Sequence, residues 1–226
     1  MDILRQHEVF EIEVLDKMNS ARLLGPLVFG GGTMLRLCHE LNRYSADLDF
    51  WFIKNLSQNE FFDIILRAFE KDYEITDAQM KHYSLLVEVR SASYPKRLKI
   101  EIRKKIKACD YQEKIAFSRF SNRQVALKAH SLDQTMKNKI EAFLGREEIR
   151  DCFDIEFMLR RGVQLPVVGK KQYTEFRKKL DRLKDSDFKV KLGAILESDM
   201  RGYYVKNRFS FLKEKLALMA SNPLNP

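Results

Sequence analysis

Residues 28–52 (VFGGGTMLRLCHELNRYSADLDFWF) change their pattern within a short distance and restrict the fold more than any other stretch of the chain. The apolar end of a strand runs into three consecutive glycines. Apolar residues then recur at helical spacing: Met34, Leu37, Cys38 and Leu41. Further on the period becomes two, and three apolar residues share one face: Leu48, Phe50 and Phe52. The pattern predicts a strand, a glycine turn, a helix and a second strand.

The glycine turn is a candidate anion site. Gly30, Gly31 and Gly32 carry no side chain, so backbone N–H groups can approach a phosphate closely. Thr33 suits the N-cap of the following helix, and a helix N-terminus favours negative charge. By itself a run of glycines is usually only a loop. As a phosphate site it would use Gly31, Gly32 and Thr33.

Two carboxylates lie on the polar face of the second predicted strand. Asp47 and Asp49 are two residues apart and therefore about 6.5 Å apart along the strand. Acidic side chains at this distance repel each other unless cations lie between them, and paired Mg²⁺ ions that also bind substrate phosphates would relieve that repulsion. The alternative is a solvated strand end, which is the commoner meaning of an isolated D-x-D.

The joint spacing of these motifs resembles a known superfamily. Thirteen residues separate Thr33 from Asp47, as in the Gly-Gly/Ser and Asp-x-Asp signature of the DNA polymerase β-like nucleotidyltransferases. The fuller strings GGT-x-L-x-L and R-x-S-x-D-L-D-F resemble the AbiEii/AbiGii family of nucleotidyltransferase-like toxins. The resemblance implies an α+β fold, with a polymerase β-like mixed sheet and helices followed by a helical bundle domain.

The resemblance also implies a site. Asp47 and Asp49 would bind Mg²⁺ or Mn²⁺, while Arg43 and Ser45 would join the glycine turn around a nucleoside triphosphate. The superfamily takes a third carboxylate from a later strand, and Glu101 in the string KIEI matches it. Such a group completes a metal shell or takes a proton from the attacking hydroxyl. The alternative is an exposed Glu101 paired with a neighbouring cation.

Composition is typical of a soluble globular protein. The 226 residues are 45% hydrophobic and 32% charged, and no apolar run approaches the length of a membrane span. The amino-terminal stretch has no apolar signal-peptide core. Cys38, Cys109 and Cys152 are widely spaced without C-x-x-C, and no histidine lies at ligand spacing from them. We therefore expect a cytoplasmic protein with free thiols and no zinc site or membrane association.

Positive charge is concentrated in the second half. Residues 1–125 carry a net charge of +2, and residues 126–226 carry +7 of the total +9. A basic run also follows directly on the strand of Glu101, and it supplies the candidate RNA contacts: Arg103, Lys104, Lys105 and Lys107. This charge is consistent with a polyanionic partner. A lysine-rich solvated surface is the alternative.

Helical patterns dominate the second half. Strand signals become sparse from about residue 124, and apolar stripes such as Met136, Ile140 and Phe143 recur at helical spacing. We therefore predict two domains: a nucleotidyltransferase-like domain over residues 1–125 and a bundle of about five helices over residues 126–226. Within the first domain, Ser57 and Glu60 predict a capping box at the start of a helix.

One segment of the second half also resembles the AbiEii-like family. The string KNKIEAFLGREEIRDCFDIEFML contains the matching positions: Lys139, Arg146, Arg150, Asp151 and Asp154. The resemblance implies that Lys139 acts in catalysis and, with Arg146, binds the triphosphate, while the other three residues support the site. Without the resemblance, the two cations would be ordinary surface residues and Asp154 a salt-bridge partner.

The predicted function is Mg²⁺-dependent transfer of a nucleoside monophosphate from a nucleoside triphosphate to an acceptor hydroxyl. The resemblance implies a toxin that a cognate antitoxin protein would oppose, and it favours the 3′ end of tRNA as the acceptor. One alternative is a non-catalytic module of the same fold that binds RNA or a protein. Another is nucleotide transfer to a protein side chain.

Overall fold

The computed structural model describes residues 2–166 and 170–221, which divide into two compact units. The first unit comprises Met1–Glu40 and Tyr44–Ser131, and the second comprises Leu41–Arg43 and Leu132–Pro226. The main boundary thus follows residue 131, whereas the sequence placed it after residue 125. The difference arises because the residues after 125 still belong to a sheet strand.

The first unit is built on a seven-stranded sheet in the described part of the chain. Its strands are β1 (Leu27–Gly30), β2 (Asp47–Phe52), β3 (Glu74–Met80), β4 (Ser84–Arg90), β5 (Leu98–Arg103), β6 (Tyr111–Phe117) and β7 (Gln124–His130). Their spatial order is β3-β4-β5-β2-β1-β7-β6. The β2–β5 and β1–β7 pairs are parallel and the other neighbours antiparallel. The sheet is therefore mixed, as predicted, with β2 at its centre.

The alternating pattern of β2 correctly predicts its two faces. Leu48, Phe50 and Phe52 are buried, and Phe50 stacks on Phe29 of β1 with 5.0 Å between ring centroids. The other face of β2 is half-exposed. Burial of one face fixes the strand register, because a slip by one residue would turn the apolar set outward.

In its described residues, the first unit also contains three helices: α1 (Ile3–Ser20), α2 (Gly31–His39) and α3 (Gln58–Phe69). The cap of α3 is the predicted one, since Ser57 Oγ accepts a hydrogen bond from the Glu60 N–H at 3.3 Å. The strands β3, β6 and β7 were not predicted. Both β3 and β6 lie at sheet edges and are largely exposed, so they lack the apolar alternation of a half-buried strand.

The second unit is helical in its described residues. It contains α4 (Leu132–Arg146), α5 (Ile149–Arg160), α6 (Lys170–Asp181), a π-helical segment (Asp187–Leu192), α7 (Ser198–Asn207) and α8 (Ser210–Ser221). The predicted stripes are core: Phe143 of α4, for example, lies 4.7 Å from Phe176 of α6 between ring centroids. None of the described helices has the length and hydropathy needed to cross a membrane.

Candidate active site

The glycine turn is held against the carboxylate strand by close backbone packing. Gly30 is the N-cap of α2, and Gly31 begins the helix with φ of +75°. A Cβ atom at Gly31 would lie 2.4 Å from Oδ2 of Asp49. Both the left-handed backbone and the contact therefore require glycine at position 31. The N-terminus of α2 thus lies directly beside the Asp49 carboxylate.

Thr33 does not cap α2, contrary to the prediction from sequence. The N-cap is Gly30, three residues earlier, because the chain has already turned at Gly31. Thr33 is fully buried, and its hydroxyl donates a 2.6 Å hydrogen bond to the backbone carbonyl of Asp47. Thr33 therefore ties the first turn of α2 to the start of β2.

The three predicted carboxylates share one face of neighbouring strands. In the parallel β2–β5 pair, Asp49 lies opposite Glu101 and Asp47 lies opposite Lys99. On the other side of β2, Asp49 lies opposite Gly30 of β1. Directly opposed residues in a sheet have side chains on the same face. Asp49 is consequently flanked by the glycine turn on one strand and by Glu101 on the other.

Two cations pair with the carboxylates on either side of Asp49, which are those of Asp47 and Glu101. The Lys99 ammonium lies 3.1 Å from Oδ2 of Asp47, and the Arg103 guanidinium lies 3.2 Å from Oε1 of Glu101. Side-chain exposure is 39% for Asp47 and 19% for Glu101, so both carboxylates remain reachable from solvent. Glu101 therefore both forms an ion pair with a neighbouring cation and lies beside Asp49.

The carboxylate oxygens of Asp47 and Asp49 are the kind of ligand that a hard divalent cation prefers. Among residues 2–166 and 170–221, no three Asp, Glu, His or Cys side chains converge closely enough to hold a metal ion by themselves. Mg²⁺, however, is commonly bound by one or two carboxylates together with substrate phosphates. Asp47 and Asp49 offer two such oxygen ligands beside a helix N-terminus that favours phosphate. These residues therefore fit a cation that binds together with a nucleotide.

The face around Asp49 also contains residues that sequence analysis missed. A Cβ atom on Gly30 would lie 2.6 Å from the Trp51 indole and 2.7 Å from the His130 ring, so glycine is needed there as well. Burial lowers the pKa of His130 to about 4. His7 of α1 contacts the backbone carbonyl of Ala46 at 2.9 Å, just before Asp47. Lys99, in contrast, lies on the face of Glu101 as the alternation of β5 predicts.

The second unit contains an ion cluster, buried except at Arg146, made of residues that the family resemblance singles out. Arg43 donates two hydrogen bonds to Asp154, at 2.6 and 2.7 Å. Lys139 lies 2.6 Å from Asp154 and 3.1 Å from Asp151. Arg146 donates two hydrogen bonds to Asp151, both at 2.8 Å. Three cations thus surround two carboxylates, and Asp154 is the salt-bridge partner that the sequence alternative described.

Asp154 is held ionised inside this cluster. Burial raises the pKa of its carboxyl, but the adjacent Arg43 and Lys139 more than offset burial and bring it below its usual value. Asp151 and Asp154 are both completely buried. Arg43 was predicted to bind nucleotide, yet it is itself buried and its guanidinium holds Asp154.

The remaining predicted residues lie outside these contacts. Ser45 is half-buried in the segment before β2, and Gly32 is buried in the first turn of α2. Arg150 is exposed in the first turn of α5. The basic run begins with Arg103 at the end of β5 and continues through Lys104, Lys105 and Lys107.

Comparison with protein families decides the class of this chain. The family model for the nucleotidyl transferase AbiEii toxin, of type IV toxin–antitoxin systems, matches residues 14–213. The chain belongs to this family. It is therefore a nucleotidyltransferase of the AbiEii toxin type, which confirms the family and the enzyme class predicted from the motifs.

Solved structures share the AbiEii-type fold of this chain. JHP933 from Helicobacter pylori is 21% identical, with 93% of this chain and 92% of that chain covered and a TM-score of 0.56. A second H. pylori protein, described as a candidate nucleotidyltransferase, is 19% identical, with coverages of 95% and 98% and a TM-score of 0.56. At these identities the likeness concerns the fold alone. No curated protein matches the sequence significantly.

Proposed function

We propose that this protein transfers a nucleoside monophosphate from a nucleoside triphosphate to the 3′-terminal hydroxyl of a tRNA, with Mg²⁺ as the metal. The observation that carries the proposal is the pairing of Asp49 with Glu101, beside the glycine turn and two residues along the strand from Asp47. This arrangement supports the proposal because it would offer cation ligands and a helix N-terminus for phosphate on one face of a sheet.

Each residue of the first unit would have a distinct task. Asp47 and Asp49 would hold the cation, with Glu101 beside them as the third carboxylate. When bound, Mg²⁺ would neutralise phosphate charge and polarise the reacting oxygens. The N–H groups at Gly31 and Gly32 would bind phosphate oxygens at the N-terminus of α2. Thr33 would act through its hydrogen bond to Asp47, as a positioning residue.

The reaction is a single displacement at the α-phosphorus. The acceptor oxygen forms a bond to the α-phosphorus, and the bond from that phosphorus to the bridging oxygen of the β-phosphate breaks. Pyrophosphate leaves, and the proton of the acceptor hydroxyl passes to Glu101. The exposure of Glu101 and its ion pair with Arg103 are compatible with this task, because a surface ion pair is weak and exchanges readily.

Lys139 and Arg146 are proposed to bind the triphosphate, and Lys139 to assist the transfer. A lysine ammonium has three donors, and Lys139 directs its ammonium at Asp151 and Asp154. The cluster as a whole carries one more positive than negative charge. That excess favours a bound anion. Arg43 would position Asp154, and Asp151 would orient both Lys139 and Arg146.

Labelled substrates would test this function directly. The purified protein is incubated with Mg²⁺, total tRNA and each α-labelled nucleoside triphosphate in turn, and the RNA and protein fractions are resolved. We expect label on tRNA from at least one nucleotide and none with the double variant Asp47→Asn/Asp49→Asn. A control with the same charge change at exposed positions, Asp63→Asn/Asp199→Asn, should keep wild-type transfer. Label on protein alone would overturn the tRNA acceptor.

Growth of cells that express the protein would test the toxin role and the proposed antitoxin partner. We expect expression to arrest growth and Asp47→Asn/Asp49→Asn to relieve the arrest. Arrest that persists in the double variant would instead support a non-catalytic binding module. Relief by co-expression of a neighbouring antitoxin gene would support the proposed pairing.

A further inference from the structure

A cationic pocket with aromatic walls lies in the first unit, outside the carboxylate site. It has a volume of about 570 Å³. Its lining comprises Trp51, Gln58, His82, Tyr83, Arg103, Lys104, Lys105 and Lys107. Four of these eight residues are cations, three are aromatic and none is acidic. A positively charged groove interleaved with aromatic rings is the arrangement that binds single-stranded nucleic acid.

The aromatic side of the pocket is available for stacking. Tyr83 is 74% exposed, and His82 meets its ring edge-on at a centroid distance of 4.4 Å. An exposed tyrosine of this kind presents a wide ring face to solvent without a core to pack against. A nucleobase can stack on such a ring whatever its identity, because every base has a π face.

The cationic side is only partly used by contacts within the protein. Arg103 pairs with Glu101, and the Lys104 ammonium donates a hydrogen bond to the backbone carbonyl of Lys81. Lys105 and Lys107 are exposed and form no ion pair with any residue that the structure describes. Two lysines are thus available for phosphate groups.

The pocket is held in shape by hydrogen bonds to two backbone carbonyls. The Lys104 N–H donates to the carbonyl of Tyr83 at 3.0 Å, and the side-chain amide of Gln58 donates to the carbonyl of Lys104 at 3.0 Å. These bonds join the turn before β4, the end of β5 and the start of α3. A pocket formed in advance loses little conformational entropy when it binds a ligand.

Sheet register places the pocket next to the reacting groups. Trp51 lies opposite Arg103, two residues along the strands from the Asp49–Glu101 pair and on the same face. Two residues span about 6.6 Å along a strand. The glycine turn contacts Asp49, and none of its residues lines the pocket. The pocket therefore offers a place for a second nucleotide, separate from the phosphate site at α2.

We propose that this pocket binds an unpaired nucleotide of the acceptor strand, with its base stacked on Tyr83 and its phosphates near Lys105 and Lys107. The inference rests on the proposed function, since it assigns the binding site of the acceptor in that reaction. It implies that the acceptor must have unpaired nucleotides before its terminal hydroxyl. An RNA with a blunt end is then a poor substrate.

Fluorescence anisotropy with two labelled hairpin RNAs tests the proposal on the full chain. One hairpin has a four-nucleotide 3′ overhang and the other is blunt. We expect tighter binding of the overhang, and Tyr83→Ala should weaken it about 5- to 150-fold, which is the range for one lost base stack. Tyr83→Phe should retain the affinity because it keeps the ring. Tyr111→Ala, at an exposed tyrosine of β6, is the matched control and should change nothing.

Salt dependence tests the lysines. RNA affinity should fall less steeply with salt in Lys105→Ala/Lys107→Ala. The magnitude of the slope of log affinity against log salt should decrease by about 1.4, because each phosphate contact to a single strand contributes about 0.7. Arg67→Ala/Lys71→Ala, on exposed residues in and after α3, removes the same charge outside the pocket and should leave the slope unchanged.

Three results would overturn the proposal: equal affinity for the two hairpins, no effect of Tyr83→Ala, or a loss of nucleoside triphosphate affinity in place of RNA affinity. The last would make the pocket a site for the incoming base. Failure of the proposed function is distinguishable, because it would appear as absent transfer in a protein whose overhang binding still depends on Tyr83.

Discussion

Asp49 of β2 and Glu101 of β5 are directly opposed in a parallel strand pair, although 51 residues separate them in the chain. Backbone hydrogen bonding of the two strands holds their side chains on one face. Because the strands are central in the sheet and their other face is buried, neither residue can turn away without disrupting the core.

Glu101→Gln should lower nucleotide transfer by at least about 10²-fold, since it removes a charge beside the reacting groups. Initial rates of pyrophosphate release measure the effect, and thermal unfolding should be nearly unchanged. Glu88→Gln is the matched control: Glu88 lies on the neighbouring strand β4 and pairs with Arg97 at 3.1 Å. Equal rates for the two variants would remove Glu101 from the site.

Gly31→Ala should abolish transfer and reduce stability. The left-handed backbone costs an alanine about 1–2 kcal/mol, and its Cβ would displace the Asp49 carboxylate. Gly162→Ala separates the two effects, because Gly162 has φ of +86° but open space around a Cβ atom. The control should lose stability, measured by urea unfolding, and keep its transfer rate. Full activity of Gly31→Ala would show that the close approach to Asp49 has no catalytic role.

Lys139→Ala should weaken nucleoside triphosphate binding by roughly 1.5–3 kcal/mol, as expected for a charge-assisted contact. The fold should survive, because Arg43 and Arg146 still neutralise the two buried carboxylates. Calorimetric titration of a non-hydrolysable nucleotide measures the affinity. Lys137→Ala, exposed on the same helix, is the control. Unchanged affinity together with an unchanged rate would rule out this role.

Asp154→Asn should destabilise the second unit by about 3–5 kcal/mol at pH 7, since it leaves buried cations without their partner. The folded pKa of Asp154 lies below its usual value, so its contribution is present above about pH 4. It is lost as the pH falls through the folded pKa. Urea unfolding followed by circular dichroism should therefore show the gap between wild type and variant narrowing in acid. Asp181→Asn, which is exposed, should show no such gap.

Glu11→Gln should stabilise the protein at neutral pH. Burial, and then the neighbouring Glu8, raise the pKa of the Glu11 carboxyl well above its usual value, and its Oε1 atom has no hydrogen-bond partner in the described structure. A carboxyl whose pKa is raised in the folded state lowers stability once the pH exceeds its pKa in the unfolded chain. The loss is up to about 1.4 kcal/mol per pH unit until the folded pKa is reached. Urea unfolding at pH 4 and pH 7 should show the variant's advantage only at the higher pH. An equal difference at both pH values would contradict this.

Sequence alone determined the nucleotidyltransferase fold class, the family and the central elements of this protein. Alternation in β2, the glycines before α2 and the capping box of α3 are local signals, because each depends on residues within one turn or one strand. The motif spacing was specific enough to identify the AbiEii family, which the family comparison confirmed. The edge strands β3 and β6 were not predicted from the sequence, because their exposed residues carry no alternating apolar pattern.

Tertiary structure alone decided which distant groups meet. Strand register set Glu101 opposite Asp49 and Lys99 opposite Asp47, and register depends on pairing between strands that are far apart in the chain. Packing of α2 turned the Thr33 hydroxyl toward the Asp47 backbone, where sequence had predicted a cap. The cluster around Asp154 joins Arg43 to α4 and α5, and a buried carboxylate of this kind is tolerable only where the fold brings cations to it. Local pattern specifies elements, whereas burial and pairing between elements specify the site.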